Sequence, residues 1–262
     1  MQLLLANTYV PESYLKVYLA STVDMMGEQL DETVRQNASR VNMLESFYYI
    51  KPWQVELFGS LKNFILDSGA FTFMQGGGAG VDFEEYTRKY AAFINKHDIA
   101  KFFELDIDGV VGWEKYSSLR KLLEDLTGKD PIPVMHRSRG KDYYLQLVQD
   151  HDYVAVGGIA AGHVRRTEYA HLEWFITEAH KAGAKIHGLG FTNLTWLEKL
   201  RWDSVDSSSW LYGNRSGVVY QFDGRTIQKH KGPEGARLKA KETAIHNFIE
   251  WVRFGEYLEG VV

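Results

Sequence analysis

Apolar runs in this chain repeatedly stop dead at a polar side chain or a glycine pair. They are Phe64-Ile65-Leu66-Asp67, Phe102-Phe103-Glu104-Leu105-Asp106, Ile132-Pro133-Val134-Met135-His136, Tyr153-Val154-Ala155-Val156-Gly157-Gly158 and the stretch Ser204-Val205-Asp206-Ser207-Ser208-Ser209-Trp210. With His187 added, the markers Asp67, Asp106, His136, Gly157, His187 and Asp206 recur at intervals of about 20–40 residues, room for a strand, a helix and two loops. Such a beat calls for parallel strands covered by helices. The pattern predicts an α/β fold, a (β/α)8 TIM-type barrel, because polar groups gather at the C-terminal strand ends where barrel sites are built. The rival is a doubly wound open sheet. It requires a glycine-rich phosphate turn after the first strand, and residues 3–7 contain none.

Read in order, residues 3–6 are a first buried strand. Tyr14, Val17 and Tyr18 suggest a short helix, and residues 31–46 a second, before the aromatic segment Phe47-Tyr48-Tyr49-Ile50. Strands follow at 63–66, 101–105, 132–135, 153–156 and 185–189, then the strand that carries Asp206. Helices fall between them, one starting at Asp82 as N-cap with Phe83, Tyr86, Tyr90, Phe93 and Ile94 on one face. Others lie near 113–126 and 142–149, from Thr167 to a glycine stop at Gly183, and at 194–200. That makes seven strands, and residues 218–222 are the remaining candidate for an eighth. A last helix near 234–257 carries Ala244, Phe248, Trp251 and Val252 on one stripe. One domain over 1–262 is expected, since 262 residues with 45% hydrophobic content can bury a sizeable core.

The net charge of −4 offers no global basic field, so a nucleic-acid partner needs a local patch. Candidates are Arg137, Arg139 and Lys141 after the His136 strand end, and Arg165 and Arg166 after the Gly157 strand end, all on the catalytic rim of a barrel. The stretch 229–241 adds positive charge. There is no cysteine, which excludes disulfides and thiolate zinc sites, and no His-x-His or His-Glu-x-x-His spacing. Neither a metal nor a cofactor is expected. No apolar run approaches the roughly 18 residues of a membrane span, and a cytoplasmic protein is expected. The glycines 76–78 lack a following Lys-Ser/Thr and read as a loop rather than a phosphate cradle. Singly, each marker has a plain structural reading: an Asp caps a helix, a His fills a core, a glycine pair admits a close approach. Three acids, two histidines and a glycine pair, all at strand ends, argue together for a site.

Asp67-Ser68-Gly69-Ala70-Phe71, Pro133-Val134-Met135-His136, Val156-Gly157-Gly158-Ile159-Ala160-Ala161-Gly162-His163, His187-Gly188-Leu189-Gly190 and Val205-Asp206-Ser207-Ser208-Ser209-Trp210 resemble, in order, signature segments of the tRNA-guanine transglycosylases. The resemblance is closest to the DpdA-type relatives of phages and bacteria that act on DNA, and it covers about residues 63–217. It implies a barrel enzyme that exchanges guanine in a polynucleotide, DNA or alternatively tRNA, for a 7-deazaguanine base. On that resemblance Asp206 is the nucleophile at C1′ and Asp67 the acid/base. Asp106 reads the guanine edge, and the amides of Gly157 and Gly158 face the base carbonyl. Ser68, Phe71, His136, His163 and His187 join the substrate-binding set. Two departures stand out. The cysteine-rich zinc subdomain of the tRNA enzymes is missing, and His163 stands where bacterial tRNA enzymes carry a glutamate associated with an aminomethyl base. An imidazole there suits an uncharged 7-substituent such as cyano. A homodimer, a partner protein, or a catalytically silent nucleic-acid-binding subunit are the other expectations left open.

Overall fold

The computed structural model describes residues 15–22, 28–197, 199–211, 217–231 and 239–261. The strand expected at 3–6 lies outside them. Seven strands, β1 (Lys16–Ala20), β2 (Asn42–Ser46), β3 (Asn63–Asp67), β4 (Val134–Met135), β5 (Tyr153–Val156), β6 (Lys185–Gly188) and β7 (Ser204–Ser207), form one parallel sheet in the order β3-β2-β1-β7-β6-β5-β4. The sheet's outer strands meet through one short segment. Phe102 bridges Leu66 at the end of β3, and Phe103 bridges Ile132 just ahead of β4, both in parallel. The Phe103 amide donates to the Leu66 carbonyl at 3.0 Å and the Ile132 amide to Phe102 at 2.8 Å. These bonds curl the sheet into an eight-staved ring of the TIM type, with staves in sequence order around it.

Alternation along the staves sorts the side chains. Tyr18, Ala20, Leu44, Ile65, Phe103, Ile132, Val134 and Ala155 pack together inside the ring. Val17, Leu19, Met43, Val154, Ile186 and Val205 face the helices instead. Two residues further along the inward rows come Ser46, Asp67, His136, Gly157 and Asp206, so the period of two by itself delivers these groups to one end.

The helices keep their sequence signals. Helix α1 (Glu28–Gln36) precedes β2, and α2 (Phe83–Lys96) begins at Asp82, whose carboxylate accepts from the Glu84 and Glu85 amides at 3.0 and 3.1 Å. Helices α3 (Trp113–Thr127) and α4 (Lys141–Asp150) follow. Helix α5 (Leu172–Ala182) is preceded by a 3-10 stretch (Arg166–His171) and ends on left-handed Gly183. The C-terminal helix α6 (Ala240–Val261) buries Ala244, Phe248, Trp251 and Val252.

Three expectations are corrected. The segment around Val17 and Tyr18 is strand β1, buried on both faces, so it shows no alternation and its Tyr14/Tyr18 spacing mimics a helix. The helix expected at 31–46 is half right: α1 stops at Gln36, a turn at Ala38–Arg40 reverses the chain, and β2 begins at Asn42. No glycine or proline marks that boundary. Residues 218–222 are not a barrel stave. They pair antiparallel with Ile227–Lys231 as a hairpin inserted between β7 and α6.

Candidate functional site

A cavity of about 320 Å³ opens at the C-terminal end of the ring. Asp67, Asp106 and Asp206, from three separate staves, line it together with Ser68, Phe71 and His136. Gly157, Gly158 and His163 border it as well. A volume of this size suits one small ligand.

Asp206 lies inward on β7. Its Oδ1 takes two bonds, from the Gly190 amide at 2.6 Å and from Nε2 of His187 at 3.2 Å. Its Oδ2 has no partner among the described residues. One oxygen is thus anchored while the other faces the cavity. The loop glycine that anchors it has a physical reason to be glycine: φ is +66°, and a Cβ there would sit 2.5 Å from that of Ala160. Gly190 had no separate role in the sequence reading, although it closes the His187-Gly188-Leu189-Gly190 segment.

Asp67 ends β3 beside Ser46 of β2, its register partner. Burial pushes its carboxyl up to about 6. The Gly69 amide, 2.9 Å from Oδ2, pulls the other way, and the carboxylates of Asp206 and Asp106 add to the rise. Next to it the Ser68 hydroxyl is buried with no hydrogen-bond partner among the described residues, while its carbonyl accepts from the Tyr86 hydroxyl at 2.6 Å.

The raised Asp67 gives a stability signature. Below about pH 4 the carboxyl is protonated in folded and unfolded chains alike. Between there and about pH 6 the unfolded chain gives up its proton first, so stability falls as pH rises through that window and is level above it. Asp67→Asn removes this loss. Urea unfolding of the variant should gain up to about 3 kcal/mol on wild type between pH 4 and pH 8. A difference between the two proteins that stays constant over this range would show that the carboxyl is not held up.

Asp106 is embedded in a buried charge network. Its Oδ1 accepts from Arg139 Nη2 at 2.9 Å, and its Oδ2 bonds to His136 Nε2. Burial pulls the His136 imidazole down, but the bond to Asp106 and that carboxylate's attraction outweigh it, leaving the ring above the usual histidine range. Arg139 also reaches Glu104 at 3.2 Å, Asp108 at 3.1 Å and the Val134 carbonyl at 2.6 Å, and lies 4.6 Å over the Tyr116 ring. Burial pushes Glu104 up while Arg120 and Arg139 oppose the rise. The sequence reading gives Glu104 no role beyond membership of an apolar run; a charge inside such a run is the signal that could have found it.

The placements depart from the sequence reading at three points. Arg139 is no surface cation for phosphates: its side chain is 2% exposed and its donors are engaged inside the protein. His187 does not line the cavity. It is fully buried one layer below, level with Ser204, because β6 runs on to Gly188 and it is Leu189 that reaches the cavity. The Gly157 amide does not face the cavity as a donor, since it bonds to the Met135 carbonyl at 2.9 Å within the ring. Gly157 serves instead as a close approach, where a Cβ would lie 2.9 Å from the His136 ring. The Gly158 amide has no acceptor among the described residues and is the one of the pair still able to donate.

Arg137, Lys141, Arg165 and Arg166 are exposed. Arg137 and Arg165 both grip Glu168, at 2.7 and 3.3 Å. The Arg165 amide first, and then these two guanidinium groups, hold the Glu168 carboxyl down at about 2. Lys141 lies 5.0 Å over the Trp174 ring. The strip therefore spends part of its charge on its own glutamate. Among the described residues no group of three or more His, Asp or Glu has the arrangement of a metal site, and no helix is long and apolar enough to cross a membrane.

No family model matches the chain. No curated protein matches it either. Among solved structures, an aldolase described as QR15 is similar at 13% identity with a TM-score of 0.46, over 77% of this chain and 92% of that one. The carboxyl transferase domain from Rhizobium etli pyruvate carboxylase with pyruvate is similar at 13% identity and a TM-score of 0.43. That match takes in 93% of this chain and 48% of the other, so this chain spans about half its length. Likenesses this distant carry no argument about chemistry.

Proposed function

We propose that the chain is a transglycosylase that replaces guanine in a polynucleotide, DNA by preference, with a 7-deazaguanine base. The observation that carries the reading is the pairing of two unlike carboxyls in one cavity. Asp206 has an anchored Oδ1 and a free Oδ2, and Asp67 is pushed up to about 6. Exchange of one base for another on the same sugar face proceeds most simply by two inversions through a covalent intermediate. Asp206 Oδ2 attacks C1′, the C1′–N9 bond breaks, and its electron pair goes to N9, which takes the proton of Asp67. The incoming base then loses its N9 proton to the Asp67 carboxylate and attacks C1′, breaking the ester and freeing Asp206. A carboxyl near 6 serves in both directions at neutral pH.

Asp106 supplies the acceptor for the N1–H and amino group of the base. Its oxygens keep lone pairs beyond the bonds from Arg139 and His136. His163 borders the cavity and would meet the 7-substituent. The test is mass spectrometry of nucleosides from DNA and from tRNA of cells that express the chain and are supplied with 7-deazaguanine precursors. A deazaguanosine in DNA supports the proposal; one in tRNA alone moves the substrate to tRNA; none in either overturns it.

A specificity prediction follows from His163. His163→Glu should spare exchange of radiolabelled guanine, which has no 7-substituent. It should turn a preference for the cyano base toward the aminomethyl base by about tenfold or more, since a carboxylate pairs with the ammonium. Competition between the two bases on one DNA substrate reads this, and an unchanged ratio would place His163 away from the 7-position.

A further inference from the structure

Beneath the cavity floor, three side chains outside its lining form a chain of hydrogen bonds that ends on Asp206. The Tyr153 hydroxyl bonds to Ser204 Oγ, Ser204 Oγ lies 2.7 Å from His187 Nδ1, and His187 Nε2 lies 3.2 Å from Asp206 Oδ1. His187 and Ser204 are buried, and the imidazole packs against Tyr18 and Phe103, with ring centroids 6.0 and 5.4 Å away. The barrel register builds this stack, for His187 sits between Ala155 of β5 and Ser204 of β7.

One direction of donation satisfies the donors and acceptors at both ends. An ionised Asp206 only accepts, so the proton of a neutral imidazole must sit on Nε2, and Nδ1 must then accept from Ser204. At the far end, burial keeps the Tyr153 phenol protonated, and among the described residues Ser204 is its hydrogen-bond partner. The phenol therefore donates to Ser204, and Ser204 donates to His187. A cationic His187 would turn Ser204 back toward Tyr153 and strand the phenol proton. The other neutral tautomer would set an imidazole lone pair against a carboxylate oxygen.

We propose that Tyr153, Ser204 and His187 are positioning residues: a one-way hydrogen-bond relay that fixes Oδ1 of Asp206 and presents Oδ2 as the attacking oxygen. The Gly190 amide clamps the same Oδ1 from above. The role of the attack rests on the transglycosylase reading, while the relay itself is a property of the resting protein.

The experiment has two arms on the full chain. Long-range 1H–15N NMR of histidine-labelled protein, with His187 assigned from the His187→Gln spectrum, should show a single tautomer at pH 7. Nε2 should be protonated and Nδ1 should accept a hydrogen bond that Ser204→Ala abolishes. In single-turnover assays Ser204→Ala should slow formation of the polynucleotide adduct about 10- to 100-fold, the scale of a small misplacement of a reacting group. The apparent KM should barely move, while the Tm should fall by a few degrees because the Tyr153 phenol and His187 Nδ1 lose their shared partner. His187→Gln, which keeps an N–H donor, should retain more activity than His187→Leu. A proton on Nδ1, or a wild-type adduct rate in Ser204→Ala, overturns the relay. A wild-type protein that forms no adduct yet shows the Nε2–H tautomer overturns the transglycosylase reading and supports the relay as the device that orients Asp206.

Discussion

Asp206→Asn is expected to abolish base exchange, by at least ~10⁴-fold, and to leave the fold standing. The amide keeps an oxygen where Oδ1 was, still able to accept from the Gly190 amide and from His187. What it loses is the negative charge on the second oxygen. Wild type should give a denaturation-resistant adduct with a guanine-containing polynucleotide, and the variant none. Incorporation of radiolabelled guanine should vanish in parallel while thermal unfolding shifts by no more than a few degrees. Exchange at wild-type rate in the variant would remove Asp206 from the chemistry. Loss of exchange together with loss of folding would mean that the carboxylate also holds the fold, through the bonds its Oδ1 accepts from the Gly190 amide and from His187.

The second large effect is structural. Arg139→Met should destabilise the protein by about 3–5 kcal/mol, the cost of stranding buried charges. The guanidinium is the shared partner of Glu104, Asp106 and Asp108, with Tyr116 beneath it, and its removal leaves Glu104 with Arg120 and Asp106 with His136. A fall in Tm of about 6–20 °C is expected. The variant should also lose affinity for the base, because nothing then steers Asp106 Oδ1. A loss below about 1 kcal/mol would mean that the network relaxes around the gap. In that case Arg139 would be as expendable as the surface cation that its sequence neighbours suggest.

The contrast between Arg139 and Arg137 shows where sequence stops. The two stand two residues apart, and the sequence suggests a rim cation at both. Arg137 points to solvent and grips Glu168, whereas Arg139 turns inward at the end of a short 3-10 turn (Arg137–Arg139). Nothing in the local string distinguishes them, because the acids that draw Arg139 in come from the segment after 102–103, some thirty residues earlier. His187 teaches the same lesson along a strand. Its run announces a strand end, but the depth at which a side chain sits depends on the stagger of neighbouring staves.

What the sequence by itself determined is the beat of strands and helices, and with it the parallel barrel and the end at which polar groups collect. It also placed Asp67, Asp106, His136 and Asp206 at that end, because an apolar run that stops at a polar residue is a local signal carried by a few consecutive residues. It misread the segment around Val17 and Tyr18, where a doubly buried strand shows no alternation, and residues 37–46, where a helix passes into a strand without a breaker. Only the tertiary structure decided that the 102–103 segment closes the ring, that the 218–222 strand leaves it, and which oxygen of Asp206 is free. Those outcomes depend on contacts between residues far apart in the chain, such as Leu66 with Phe102 and Gly190 with Asp206. Hydrogen-bond geometry across such distances is fixed by how the staves stack and leaves no periodic trace in the string of residues.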